Sequence, residues 1–202
     1  MAEIWLVRHG QTDWNLEGRF QGQLDVPLND TGMDQARVLA NKLADLKFCA
    51  LYSSDLMRAR QTAEIISSRV NLPIKFDLRL REISQGQVEG LLMSEVMLKF
   101  SNALTDRSSN PVNSRMPGGE SVSEVAERVK IAIDDIACAH PLEPVLVSAH
   151  GLVIATILCQ VRGYPMESVY SHIPENATAE VIIWKPENCP NPPVSSKGFS
   201  EN

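Results

Sequence analysis

The sequence predicts an α/β fold, a three-layer α/β/α arrangement with a mainly parallel central sheet. Short apolar runs typical of buried strands alternate along the chain with longer segments in which apolar residues recur every three or four positions, as in helices. This alternation favours a parallel sheet covered by helices on both faces. At 202 residues the chain is long enough for one such domain and too short for two. We therefore expect a single domain over residues 1–185.

The strands of this sheet are predicted from apolar runs bounded by polar, glycine or proline residues. In chain order they are residues 4–7, 49–52, 74–76, 145–148 and 181–184. The last of these could pair across a homodimer if it lies at the edge of the sheet, where backbone N–H and C=O groups have no neighbouring strand. A homodimer is therefore one expected assembly.

In the first half of the chain, a loop and two helices separate the strands. The polar, glycine-bearing residues 10–29 are predicted to be a loop. Asp30 or Thr31 is expected to cap the first helix. The apolar face of that helix is predicted to comprise Ala36, Leu39, Ala40, Leu43 and Leu46. A second helix is predicted to pass from Arg58 to Ile66.

In the second half, residues 91–100 have a helical pattern, whereas residues 101–119 are rich in serine, asparagine, proline and glycine and are expected to form a loop. Ser121 with Glu124 matches a capping box at the start of a further helix. The apolar face of that helix is predicted to comprise Val125, Val129, Ala132 and Ile136. Residues 151–161 are predicted to form a buried helix after the fourth strand.

Charge and hydropathy exclude several classes of function. The net charge of -6 provides no general attraction for nucleic acid or for an anionic membrane, so neither is an expected partner. No segment approaches the roughly 18 apolar residues of a membrane span. The amino terminus lacks the basic start and long apolar stretch of an export signal. These features predict a cytoplasmic protein.

The cysteines and the end of the chain are consistent with that expectation. Cys49, Cys138, Cys159 and Cys189 are widely spaced, without a C-x-x-C pair, and are predicted to be reduced and mostly buried. Residues 186–202 are rich in proline and serine and are expected to form a flexible tail.

Candidate catalytic residues follow three of the predicted strands. Arg8 and His9 come directly after the first strand, Arg58 lies just beyond the second, and His150 follows the fourth. Parallel strands place their carboxyl ends at one edge of a sheet, so these side chains are expected to meet there. Arginine and imidazole donors at one edge suit a phosphoryl group, whose transfer depends on cationic and hydrogen-bond donors aimed at its oxygens. A neutral His9 could attack phosphorus, and Glu82 is the candidate general acid and base.

Each of these residues also has a simpler interpretation when taken alone. His9 could be a loop histidine, Arg58 a solvated helix residue, His150 a capping or core histidine, and Glu82 an exposed carboxylate beside arginines. A metal site that includes His9, His150 and His172 is a further alternative, but the sequence has no metal-ligand spacing, so no metal is expected. Motifs for nucleoside triphosphates and dinucleotides are absent too, so we expect no cofactor.

Considered together, the motifs resemble those of the histidine phosphatase superfamily, the phosphoglycerate-mutase-like enzymes. Residues 6–12, Leu-Val-Arg-His-Gly-Gln-Thr, are similar to the family's nucleophile motif. Residues 52–63 resemble the segment that carries a second phosphate-binding arginine, and residues 80–83, Leu-Arg-Glu-Ile, the segment that carries the acid-base glutamate. Residues 117–121, Pro-Gly-Gly-Glu-Ser, resemble a loop of the phosphatase branch. The resemblance implies a phosphoglycerate-mutase-like fold.

The resemblance also implies a site. It makes His9 the nucleophile and Glu82 the proton donor. The phosphate ligands it implies are Arg8, Arg58, His150, Asn15 and the backbone N–H of Gly151. Gln21 and Gly22 are expected to contact the substrate.

Within the superfamily, the sequence favours the phosphatase branch over the mutases. Ala149 before His150 is a mutase-like feature, and Val88 stands where phosphatases often have tryptophan. The short path from residues 83–86 to Pro117, however, favours a phosphatase with an open site. The resemblance thus implies a metal-independent phosphatase that hydrolyses small phosphomonoesters through a phosphohistidine. A cofactor-dependent phosphoglycerate mutase and a noncatalytic phospholigand-binding regulatory module are the alternatives.

Overall fold

A five-stranded sheet lies at the centre of the structure, a computed structural model in which residues 1–187 and 189 are described. Its strands are β1 (Ala2–Arg8), β2 (Ala50–Ser53), β3 (Ile74–Phe76), β4 (Val145–Ala149) and β5 (Ala179–Trp184). They coincide, within a few residues at each end, with the apolar runs that predict them. Their order across the sheet is β3-β2-β4-β1-β5.

All neighbouring strands are parallel except β5, which runs antiparallel to β1. The mainly parallel sheet is therefore confirmed. β5 lies at an edge, and the side chains of Val181 and Ile183 are exposed there. Association of two copies through this edge stays a prediction.

Helices cover both faces of the sheet. They are α1 (Asp13–Glu17), α2 (Asp30–Leu43), α3 (Met57–Val70), α4 (Met93–Lys99), α5 (Ser101–Ser109), α6 (Val122–Ala139) and α7 (Gly151–Arg162). On one face, α2 and α3 pack against alternate residues of the strands such as Val7 and Leu146. On the other, α6 and α7 pack against Leu6 and Val147. The three-layer arrangement follows from this alternation, because successive strand residues point to opposite faces.

The two helix caps considered in the sequence have different outcomes. The Ser121 and Glu124 capping box at the start of α6 is confirmed. The cap predicted at Asp30 or Thr31 is wrong, because the side chain of Asn29 accepts the hydrogen bond from Gly32 N–H at 2.8 Å and Asp30 is already helical. Leu46 consequently lies beyond the end of α2 and is 41 % exposed rather than buried on it.

Both predicted loops contain helices. Residues 10–29 include α1, whose first turn is closed by a reciprocal capping box between Thr12 and Asn15. Residues 101–119 include α5, which has no buried residue of its own. Two partly buried side chains of α5, Ala103 and Leu104, nevertheless pack against a cluster formed by Val88, Val96 and Met116. This tertiary contact outweighs the low helix propensity of its serine and asparagine residues.

The prediction of four reduced cysteines is wrong for one pair. Cys138, near the end of α6, forms a disulfide with Cys189, and the Cα atoms of the two residues are 5.3 Å apart. A sequence separation of 51 residues gives no local signal for this pairing. Cys49 and Cys159 are free thiols, the second of them buried. The cysteine pattern therefore does not identify a reducing compartment.

Most of the predicted flexible tail, residues 186–202, lies outside the described residues. Within the part that is described, no helix combines the length and the apolar character needed to cross a bilayer.

Candidate active site

The ends of β1 and β4 bring two histidines together at one edge of the sheet. The strands are parallel neighbours with Arg8 opposite Ala149, so His9 and His150 both follow directly after them. His9 N–H donates to the carbonyl of Ala149 at 3.1 Å. The two imidazole rings lie with their centroids 5.3 Å apart. The common edge predicted for these residues is therefore observed.

The backbone fixes the orientation of the His9 ring. Its Nδ1 lies 2.7 Å from the carbonyl oxygen of Gly10. A carbonyl can only accept, so Nδ1 carries the proton and Nε2 presents a lone pair. The ring is 3 % exposed. Burial, reinforced by the charge of Arg58, holds the pKa of His9 well below its ordinary value, so the imidazole is neutral at neutral pH.

Arg58 lies in the first turn of α3, fully buried. Its Nη1 and Nη2 donate to the carbonyls of Leu24 and Gly22 at 2.9 and 2.7 Å, whereas its Nε is buried without a partner in the described part of the chain. Burial lowers the pKa of Arg58 to about 10, so its guanidinium stays charged at neutral pH. Two backbone carbonyls thus hold a cation to which no carboxylate within residues 1–187 and 189 is hydrogen-bonded.

Arg8, the last residue of β1, is a second cation whose guanidinium is held by a backbone carbonyl. Its Nη1 donates to the carbonyl of Pro174, and its Nε is likewise buried with no hydrogen-bond partner within residues 1–187 and 189. Burial lowers the pKa of Arg8, and the opposing charge of Glu82 raises it. Such a guanidinium remains protonated at any working pH.

His150 is the N-cap residue of α7 and is completely buried. Its Nε2 lies 2.8 Å from the hydroxyl of Ser54, while its Nδ1 has no partner among the described residues. Burial first, and the charge of Arg58 second, keep the pKa of His150 well below its ordinary value. The next residue, Gly151, opens α7, where the first N–H groups of a helix lack intrahelical partners and favour an anion.

Glu82 lies on the loop after β3 and lines the same pocket as Arg8 and Arg58. One carboxylate oxygen accepts from the N–H of Ile83 at 2.9 Å, and the other accepts from the N–H of Leu152 at 3.2 Å. Its charge is the largest electrostatic influence that raises the pKa of both Arg8 and Arg58. The candidate acid is therefore hydrogen-bonded to the first turn of α7.

These side chains line one pocket of about 170 Å³. Its lining includes eight of the nine sequence-predicted site residues: Arg8, His9, Asn15, Gln21, Gly22, Arg58, Glu82 and Gly151. The ninth, His150, lies behind it in contact with His9. Asn15 is held through its Oδ1 by Thr12, which leaves the amide NH₂ group to face a ligand. Gln21 Oε1 is buried and unpartnered within the described chain.

Sequence reasoning missed several individual residues of the pocket lining. These are Arg19, Ile83, Gln85, Leu152, Tyr170 and Ile173. Only the fold reveals which side chains reach the pocket, because these residues come from separate segments of the chain. His172, the third histidine of the metal alternative, does not line it. Instead its ring stacks on Tyr164 at a centroid distance of 4.3 Å.

The family follows from a match along almost the whole described chain. A family model described as "Histidine phosphatase superfamily (branch 1)" matches residues 4–190. This chain belongs to that superfamily. The family resemblance noted in the sequence is therefore confirmed.

Members of the superfamily with similar sequences and structures include both mutase-like proteins and phosphatases. An Escherichia coli protein named "Probable phosphoglycerate mutase GpmB" is 37% identical over 166 residues, which cover 82% of this chain and 77% of that one. A mycobacterial glucosyl-3-phosphoglycerate phosphatase superposes with a TM-score of 0.81 at 29% identity, covering 91% and 98% of the two chains. An alpha-ribazole phosphatase from Shigella flexneri shares the fold, with a TM-score of 0.83 at 24% identity over 91% of each chain.

Proposed function

We propose that this protein hydrolyses small phosphomonoesters through a phosphohistidine intermediate at His9. The observation that carries the proposal is the fixed tautomer of His9, whose Nδ1 is bound to the Gly10 carbonyl so that Nε2 is free to attack. Glu82, Arg8 and Arg58 line the same pocket. This combination of a neutral nucleophile, an acid and two cations is what transfer of a phosphoryl group requires.

In the first step, Nε2 of His9 attacks phosphorus and the bond from phosphorus to the ester oxygen breaks. The electron pair of that bond leaves with the alkoxide, and Glu82 in its protonated form supplies the proton that makes the alcohol. In this proposal Arg8, Arg58 and the Gly151 N–H, which belong to the pocket lining, neutralise charge on the phosphoryl oxygens, and His150 contributes through its Nδ1 side from behind the lining.

In the second step, a water molecule attacks the phosphoryl group on His9. Glu82, now a carboxylate, accepts a proton from that water, the P–N bond breaks, and its electron pair returns to Nε2. Inorganic phosphate leaves, and both His9 and Glu82 regain their starting protonation states. The positive charge in these steps comes from the two arginines, so we propose that hydrolysis requires no metal ion.

The size of the pocket supports a small substrate. A volume of about 170 Å³ lies below the 300 to 1,000 Å³ range usual for ligand pockets, and it accommodates the phosphoryl group with little else. The rest of the substrate would lie at the mouth, near Gln85 and Tyr170. Tyr170 is 40 % exposed, so water has access to that side.

Replacement of His9 tests the mechanism. We expect His9→Ala to abolish hydrolysis of p-nitrophenyl phosphate and formation of the acid-labile, alkali-stable phosphoenzyme that phosphohistidine gives in rapid-quench experiments. His140→Ala is the matched control, since His140 ends α6 and contacts Tyr52 and Cys49 rather than the pocket. Unchanged turnover in His9→Ala would overturn the proposal, whereas activity that survives in EDTA would support metal independence.

Phosphoglycerate mutase activity is a second candidate, favoured by the 37% identical relative and by Ala149 before His150. A mutase must keep water from its phosphoenzyme until the phosphoryl group is returned. Assays with 3-phosphoglycerate, with and without 2,3-bisphosphoglycerate, distinguish the two activities. Release of inorganic phosphate supports a phosphatase, and isomerisation that depends on the bisphosphate supports a mutase. Phosphate binding without either reaction would identify a noncatalytic module.

A further inference from the structure

Glu82 lies on a loop, yet an acid that protonates a leaving group must be held within a fraction of an ångström. Short 3₁₀ turns, Leu78–Leu80 and Gly86–Val88, flank its segment, and no helix or strand contains it. Something outside the segment must therefore fix its main chain.

Arg128 makes the main contacts to that main chain. Its Nη1 donates to the carbonyl of Arg79 at 2.7 Å, and its Nη2 donates to the carbonyl of Glu82 at 3.0 Å. Gln23 Nε2 also donates to the Glu82 carbonyl, at 3.1 Å. Arg128 projects from α6, an 18-residue helix whose apolar face is buried in the core, so it is mounted on a rigid element.

Glu120 orients Arg128 and contacts the segment itself. Arg128 Nε and Nη2 donate to its two carboxylate oxygens at 2.8 and 3.0 Å, a bidentate pair. One of these oxygens also accepts the N–H of Ser84 at 2.8 Å. Burial favours a higher pKa for Glu120, but the bonds from Arg128 and Ser84 outweigh it and hold the pKa below its ordinary value. Glu120 is therefore ionised at neutral pH.

The Pro-Gly-Gly-Glu turn at residues 117–120 holds the same loop through its backbone. Glu120 N–H donates to the carbonyl of Ser84, and Gln87 N–H donates to that of Pro117, both at 2.9 Å. A Cβ on Gly119 would lie 2.5 Å from the Ser84 oxygen, and one on Gly86 would lie 2.3 Å from the Pro117 oxygen. Only glycine at both positions permits this approach.

We propose that Arg128 and Glu120 are positioning residues that hold the Glu82 carboxylate in reach of the leaving group. Neither residue lines the pocket, and both act through the backbone from Arg79 to Ser84. The inference rests on the proposed function of Glu82 as the acid. In this proposal the Pro-Gly-Gly-Glu turn has a positioning role, because it fixes the loop that carries the acid.

The test compares substrates with good and poor leaving groups. Arg128→Lys keeps a positive charge but cannot bind two carbonyls and a carboxylate in one planar fork. We expect kcat/KM for an alkyl phosphate to fall about 10- to 100-fold and kcat/KM for 2,4-dinitrophenyl phosphate to fall less than about threefold. The constant kcat/KM reports only the steps up to formation of the phosphoenzyme, in which only the poor leaving group needs the proton, whereas kcat also includes the later attack of water. Partial unfolding would lower both rates equally, so the ratio of the two is independent of the folded fraction.

Two companion variants complete the test. Lys130→Gln removes an ion pair with Asp134 on the same helix without touching the Glu82 segment, and it should leave the ratio unchanged. Glu120→Gln should change the ratio in the same direction as Arg128→Lys, and the double variant should add little, because the two side chains act as one unit. An unchanged ratio in Arg128→Lys would overturn the inference.

Glu82→Gln separates this inference from the proposed function. If that variant shows no dependence on the leaving group, Glu82 is not the acid and the proposed mechanism fails. If it shows the dependence and Arg128→Lys does not, only the positioning inference fails.

Discussion

The hydroxyl oxygen of Ser54 lies 2.8 Å from Nε2 of His150. The same oxygen accepts a hydrogen bond from the N–H of Leu56 at 3.3 Å, and among the described residues the imidazole nitrogen is the acceptor within reach of the hydroxyl proton, so we expect the hydroxyl to donate to it. Nε2 then carries no proton and Nδ1 bears the N–H. Ser54 thus selects the tautomer in which His150 presents a donor on its Nδ1 side, where no protein acceptor meets it within the described chain.

We therefore expect Ser54→Ala to weaken binding of inorganic phosphate about 3- to 10-fold, the worth of one hydrogen bond of about 1 kcal/mol. The inhibition constant of phosphate measures the loss, and ¹⁵N NMR of the His150 ring reports its tautomer. Ser148→Ala is the matched control, because Ser148 is equally buried but donates to the carbonyl of Ala59. A His150 tautomer that is the same in Ser54→Ala and the wild type would contradict the assignment.

The buried histidines make stability dependent on pH. Burial, and secondarily the charge of Arg58, hold the pKa values of His9 and His150 well below 6.5. As the pH falls below 6.5, the unfolded chain takes up protons on these rings and the folded chain does not. The free energy of unfolding should then decrease by up to about 1.4 kcal/mol per pH unit for each ring.

Urea unfolding between about pH 7.5 and 5 measures this slope. The double variant His9→Asn, His150→Asn should flatten it. A steep slope that persists in the double variant would assign the effect to other groups.

Arg58 should not be replaceable by lysine. An ammonium group retains the charge, but its donors lie on a single nitrogen. It therefore cannot reproduce the planar fork whose two terminal nitrogens bind the carbonyls of Leu24 and Gly22 while Nε stays available. We expect Arg58→Lys to lower kcat/KM for p-nitrophenyl phosphate by about 100- to 1,000-fold. Arg60→Lys, on the exposed side of the same helix, should change it less than about twofold. Similar losses in both variants would remove Arg58 from the site.

The disulfide between Cys138 and Cys189 should contribute to stability and not to catalysis. Cys138 lies ten residues beyond Arg128 along α6, about 15 Å from it. We expect Cys138→Ser to reduce the free energy of unfolding by about 2 to 4 kcal/mol and to leave kcat within about twofold. Without reductant, the denatured wild type should titrate two thiols, Cys49 and Cys159. Four titratable thiols would show that the bond does not form.

Local patterns in the sequence predicted most of the framework. The apolar runs predicted all five strands, because burial of a strand needs only a few consecutive apolar residues. The Ser121 capping box and the apolar face of α6 were likewise predictable from the sequence, since they depend on residues three and four positions apart. The placement of His9 and His150 together followed from one topological rule, that parallel strands end at a common edge.

Long-range contacts decided the remainder. α5 forms because Ala103 and Leu104 pack against the cluster of Val88, Val96 and Met116. The composition of α5 gives no indication of this contact. The Cys138–Cys189 bond joins residues 51 positions apart, and Arg128 reaches Glu82 across 46. The strands, the motifs and the family to which the chain belongs were predictable from the order of its amino acids. The folded chain alone reveals which side chains hold Glu82, select the His150 tautomer and line the pocket, because those contacts join segments that no local periodicity relates.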